Sequence, residues 1–343
     1  MDNSIQTLLF EQIFGQYQKR ADAVNTIAKV LDASKDSVYR RIRGTTLLTP
    51  DELKVLTLRF KISLDNLIYK DHNVVLFQYR PMMNPVKDFD EYLKSILKDL
   101  DRVYRVSNRK LYYTSSDFPI FFYFLVPELT SMKMYIWGRM MWEFDYLENY
   151  PFHFDLVPQS THVLAKELIR LYMKIPSVDI WGLNILESTL NQIDYMFNTG
   201  AFRNSEDALV LLDKLIELIH LLKSMAEHGK KGTSLSAIDA SDTPFELYLN
   251  DIDFTNNTVL AESDEGYVVF TSFDNPNFLK SVDQKFGENT KKWFGKLTAR
   301  SNSISVNTDR RRRWYFNVLE NKVISLRKRL ELMIDDRTIP SSF

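Results

Sequence analysis

Between Ala23 and Gly44 two short helical patterns stand only a few residues apart, and this spacing constrains the fold more than any other feature of the chain. Ala23 to Leu31 places Val24, Ile27, Ala28 and Leu31 at helical intervals. Asp32-Ala33 breaks that pattern, Ser34 is a good N-cap for a second helix over Lys35 to Arg43, and Gly44 ends it.

The flanking residues continue in the same style. Ile5, Leu8, Leu9, Ile13 and Phe14 predict a helix within residues 5–19. Thr49-Pro50-Asp51-Glu52 is a complete helix start, with a capping Thr, Pro at the first helical position, acids in the first turn and Glu three residues after the cap. That helix should run to about Phe60, and Ser63 should cap a fifth over Leu64 to Tyr69. Five short helices make a compact bundle over residues 1–70.

Val24-Asn25-Thr26-Ile27-Ala28 through Ser37-Val38-Tyr39-Arg40-Arg41-Ile42-Arg43-Gly44 resembles the Xre or lambda-repressor-like helix-turn-helix family. Ala28 falls where that family keeps a small residue so that two helices cross closely, and Val38 supplies the apolar contact from the second helix. Leu53, Leu56, Phe60, Ile62, Leu64 and Leu67 resemble its following helices. The chain departs from the pattern twice. Asp32 occupies a turn position usually held by Gly, and Arg41 stands where the family is usually apolar, although Ile42 lies four residues after Val38 on the same face. The resemblance implies a helix lying in the major groove of double-stranded DNA, with Lys35, Asp36, Ser37, Tyr39 and Arg40 as contacts and the basic end at Arg43 near phosphates.

Beyond residue 70 the pattern predicts a linker over 71–87 and then a helical domain over 88–232. Phe89, Leu93, Ile96, Leu100 and Val103 mark one helix facing a core, with others at about 128–146, 161–174, 178–197 and 205–227, the last closed by Gly229. Gly229 to Asp242 reads as a second linker. An α+β domain over 243–335 follows, with strands at Phe245–Leu249, Thr258–Glu262 and Tyr267–Ser272, a hairpin around Asp264-Glu265-Gly266, and helices near 276–286, 288–299 and 308–334. The expected fold class is therefore mainly α: a five-helix N-terminal bundle, a helical middle region and a small α+β C-terminal domain.

Composition narrows the function. The 343 residues are 45% hydrophobic and 26% charged, the balance of a globular protein, and the net charge is −1. Residues 1–70 carry eleven Lys and Arg against eight Asp and Glu, net +3, which leaves −4 for the remainder and suits a DNA-contacting head. There is no cysteine, which excludes disulfides and thiolate zinc sites and points to a reducing cytoplasm. Met1-Asp2-Asn3-Ser4 does not begin a signal peptide, and the longest apolar run, Phe118 to Val126, is nine residues, too short to cross a membrane. The five histidines have no metal-ligand spacing, no Gly-rich phosphate loop occurs, and no catalytic constellation or cofactor site is legible.

Three further features have rival readings. Arg310 to Arg313 is a solvated helix end or a second phosphate patch. Phe316, Leu319, Val323, Leu326, Leu330 and Met333 repeat like a coiled-coil seam, which packs on its own domain or joins two copies. The aromatic stretch Tyr112 to Trp142 is core or a ligand pocket. The expectation is a cytoplasmic, non-enzymatic transcriptional regulator acting as a homodimer, with a small-molecule or protein effector. The alternative is a protein-interaction module that uses the same helical fold without binding DNA.

Overall fold

The computed structural model describes residues 4–17, 19–60, 62–68, 74–79, 89–252, 257–274 and 276–338. The chain divides into two compact units, Met1–Phe77 and Gln78–Phe343.

The first unit contains α1 (Ile5–Gly15), α2 (Arg20–Val30), α3 (Lys35–Ile42), α4 (Pro50–Phe60) and α5 (Leu64–Ile68). Local chemistry sets their starts. Ser4 and Ser34 cap α1 and α3 by accepting from the amides of Thr7 and Ser37. At α4 the Thr49 hydroxyl accepts from the Glu52 amide at 3.2 Å while Glu52 Oε2 accepts from the Thr49 amide at 2.9 Å, so each satisfies a donor the helix leaves open. The turn between α2 and α3 places Asp32 in the left-handed region at φ +47°, where its short polar side chain is tolerated in place of glycine. Leu9, Ile13, Val24, Ile27, Val38 and Leu56 are buried in one core, with Ala28, Ile42 and Leu53 packed at its edge. Tyr69 and most of the stretch read as a linker, residues 71–73 and 80–87, lie outside the described residues.

The second unit corrects the expected fold class. Its described residues include α6 (Phe89–Arg105) and seven strands: β1 (Lys110–Ser115), β2 (Ser177–Trp181), β3 (Phe245–Leu249), β4 (Thr258–Ser263), β5 (Gly266–Asp274), β6 (Asn277–Ser281) and β7 (Asn302–Ser303). They form one sheet in the order β6-β5-β4-β1-β2-β3-β7. β1, β2 and β3 run parallel, and every other neighbouring pair is antiparallel. The middle region, expected to be helical, therefore supplies two central strands to a large mixed sheet shared with the C-terminal region.

Parallel neighbours require crossovers. Between β1 and β2 the chain forms α7 (Ile120–Tyr123), α8 (Pro127–Met140) and α9 (Gln159–Tyr172), and between β2 and β3 it forms α10 (Glu187–Asn198), α11 (Asp207–His228) and α12 (Leu235–Asp239). α13 (Gln284–Ala299) and α14 (Asp309–Thr338) follow β6 and β7. Leu111, Trp181, Phe245 and Leu247 join the main core with residues of α8, α9, α11 and α14. Ile180, Leu260 and Val269 instead pack with Phe294 and Leu297 of α13. α13 sits so close to β5 that a Cβ at Gly287 would collide with the Tyr267 side chain.

The sequence pattern misses β1, β2, β6 and β7, and for two of them the structure gives a physical reason. β2 is buried at all five positions, so it lacks the alternation of a half-exposed strand, and its apolar residues merge with those of α10 into one helical-looking run. β6 falls where the pattern predicts the start of a helix over 276–286, but that helix begins only at Gln284, where the Asp283 side chain accepts from Phe286 N at 2.7 Å. The stretch Gly229 to Asp242 is no free linker, because it carries α12 and the wholly buried Lys231.

The apolar seam of α14 is consumed inside the chain. Phe316, Leu319, Val323 and Leu330 are at most 1% exposed and belong to the main core. Half of the arginine run is committed as well: Arg312 is buried beside Asp309 and Glu227, and Arg311 pairs with Asp251 at 2.7 Å, while Arg310 and Arg313 are exposed. The aromatic stretch Tyr112 to Trp142 is mostly core. Among the described residues no helix is long and apolar enough to cross a membrane.

Candidate nucleic-acid interface

α3 has two faces with different fates. Val38 is fully buried and Ile42, one turn on, is packed at the same core, so the opposite face is turned away from the bundle. That face carries Asp36, Tyr39, Arg40 and Arg43, with Lys35 beside them at the helix start, and all five are exposed. Among the described residues their side chains make no hydrogen bond or ion pair within the protein. Three cations and a phenol are thus presented together, with one carboxylate at the N-terminal end.

Ser37 is different. It is half-buried, and its hydroxyl accepts from Arg41 Nη1 at 2.5 Å, so of the six expected contacts it alone is engaged with a neighbour. Arg41, at the position where an apolar residue would be usual, reaches from α3 to α4 instead: Nη2 donates to Glu52 Oε1 at 2.6 Å and Nε to Glu52 Oε2 at 3.2 Å. The Arg41 side chain is mostly buried, and the two opposite charges are spent on each other. Hydrogen bonds from Arg41 hold the Glu52 carboxyl below the ordinary glutamate range.

The C-terminal end of α3 is fixed by a residue sequence reasoning did not single out. Gln6 on α1 donates from Nε2 to the carbonyls of Arg41 at 2.6 Å and Thr46 at 2.9 Å, and its Oε1 accepts from Leu48 N at 2.7 Å. One amide side chain thereby satisfies three backbone groups at the end of α3 and in the loop after it. Gln6 is one of two glutamines in α1 and nothing in the sequence sets it apart, because its partners lie 35 to 42 residues away.

No protein-family model matches the chain, and neither do the curated proteins or the solved structures compared with it.

Proposed function

We propose that the chain binds double-stranded DNA through α3 and acts as a transcriptional regulator of the Xre or lambda-repressor-like type, its second unit serving sensing or assembly. The observation that carries this reading is the division of labour between adjacent arginines. Arg41 is locked to Glu52, whereas Lys35, Arg40 and Arg43 are exposed with no partner among the described residues. A short, capped helix with free cations and a hydroxyl on its outer face suits phosphate oxygens and guanine edges. One such helix reads few base pairs, so two copies on half-sites about 10 base pairs apart are the natural working form.

Selection of bound fragments from a genomic DNA library by the full-length protein tests the proposal, followed by affinity measured against salt. Specific binding whose logarithm falls linearly with the logarithm of salt concentration supports it. Failure to enrich any sequence, with no salt-dependent retention of DNA, would leave the face as a protein-docking surface and sink the proposal.

A further inference from the structure

The second unit contains a polar cavity placed where open sheets with parallel strands commonly take ligands. From β1 the chain passes to β2 on one side, and later returns to place β4 on the other, so the direction of travel across the sheet reverses at β1. Crevices outside the carboxyl ends of strands at such points are ligand sites in this type of architecture. Here the crevice holds a cavity of roughly 50 Å³ lined by Tyr113 and Ser115 of β1, Asp117 just after it, Lys133 and Trp137 of α8, and Gln192 and Asn257 around them.

The floor is a preformed ionic network. Lys133, whose side chain is 3% exposed, donates to Asp117 Oδ2 at 2.8 Å, Thr189 Oγ1 at 2.7 Å and Gln192 Oε1 at 2.9 Å, which uses all three ammonium protons. Asp117 Oδ1 accepts from Tyr123 at 2.5 Å and from the Phe118 amide at 2.8 Å. Asn257 Oδ1 accepts from Ser116 N at 2.8 Å. The Asp117, Gln192 and Asn257 side-chain oxygens of the lining are therefore occupied.

Its donors are not. The Tyr113 hydroxyl and the Trp137 indole N–H have no hydrogen-bond partner among the described residues, although the residues are only 5% and 6% exposed. The Asn257 amide nitrogen, on a residue that is only half-buried, also makes no hydrogen bond among the described residues. Burial, with the carboxylates of Asp179 and then Asp117 nearby, raises the Tyr113 hydroxyl far above the ordinary tyrosine range, so it keeps its proton as a donor. Tyr92, Phe118 and Phe278 add apolar wall. Donors without acceptors, in a pocket that is otherwise aromatic, select a ligand by its oxygen lone pairs.

We propose that this cavity binds a small compound with acceptor oxygens, a short carboxylate or amide. At about 10–15 Å³ per enclosed water, the space takes a few non-hydrogen atoms, and a nucleotide is excluded. The ionic network is neutral as a whole, so the donors rather than a net charge define the ligand.

The test titrates the full-length protein with acetate, acetamide and, as a donor-only control, ethylammonium, read by saturation-transfer NMR. The expected result is saturable binding of acetate or acetamide but not of ethylammonium. Acetate alone would identify a carboxylate ligand and acetamide alone a neutral one. Tyr113→Phe deletes one oxygen and keeps the ring. Asn257→Asp deletes the donors and keeps the acceptor that holds Ser116. Each should weaken binding about tenfold or more at an unchanged unfolding midpoint. Absence of saturable binding by both oxygen compounds, equal binding of ethylammonium, or full affinity in both variants would overturn the proposal. None of these readouts involves DNA, so the cavity and the DNA-binding reading stand or fall separately.

Discussion

Arg41 and Glu52 join α3 to α4 through two parallel hydrogen bonds, and the same Glu52 carboxylate closes the cap at Thr49. One side chain therefore serves as cap and as inter-helix tie. Glu52→Gln should cost about 1–2 kcal/mol, combining a weakened cap with a mostly screened ion pair. Hydrogen exchange of the full chain checks this, with protection falling in both α3 and α4. A fall confined to α4 would show that the tie contributes nothing.

The same pair sets an acid limit. The folded-state Glu52 is held below its ordinary value, chiefly by hydrogen bonding from Arg41, so its stabilisation is complete above the usual glutamate range and fades as pH falls through the lowered value. Amide protection in α3 should thus decline on acidification, and in Glu52→Gln that acid limb should flatten. An unchanged limb in the variant would assign it to another group.

On the outer face of α3, replacing Lys35 and Arg40 together by Ala should weaken specific DNA binding by about 1–3 kcal/mol for each base edge that either side chain reads. The fold should be unaltered, since neither side chain has a partner among the described residues. If they meet only phosphates, binding should weaken on every sequence and the salt slope should shrink. Unchanged affinity in the folded double variant would remove α3 from the interface.

Behind the sheet, Asp179 of β2 and Lys231 are wholly buried. Burial pushes Asp179 up to about 6 against the pull of Lys231, and pushes Lys231 down to about 7 against the pull of Asp179. From the ordinary aspartate range to about pH 6 the folded chain holds the extra proton, so stability falls as pH rises there. Above about 7 the unfolded lysine holds it, so stability climbs again. Lys231→Met alone should cost about 3–5 kcal/mol by stranding the carboxylate, and adding Asp179→Asn should restore most of that stability. Urea unfolding followed by tryptophan fluorescence across this pH range measures both effects. A double variant no more stable than the single one would contradict this account.

Leu319 tests the fate of the α14 seam. It is fully buried in the main core, so Leu319→Ala should destabilise the second unit by about 2–5 kcal/mol and leave the oligomeric state in light scattering unchanged. A seam that joined two copies would give the reverse.

The first unit is legible because its signals are local. Ser34, Thr49 with Glu52, and the tolerance of Asp32 for a left-handed backbone all act within four residues, and the starts of α3 and α4 follow from them. The tie from Arg41 and the clamp from Gln6 are not, since each joins residues far apart in sequence whose types look ordinary alone. The hairpin of β4 and β5 is legible from its turn, whereas β1 pairs with strands that lie far along the chain, at Ser177–Trp181 and Thr258–Ser263. Nothing near Tyr113 in the chain announces Asp179, yet the two stand side by side in the sheet.

The two borders of the sheet bear on how copies of this chain can meet. At one border β7 is only two residues long. At the other, Gln78 exchanges both backbone hydrogen bonds with Lys280 of β6, and the Lys280 ammonium is paired with Asp99. A stunted strand on one side and a bridged, lysine-bearing strand on the other deny a neighbouring chain the long open ladder that templates fibrous association. Any association between copies of this molecule would then have to use side-chain surfaces, which a few substitutions can abolish, and not backbone pairing, which they cannot.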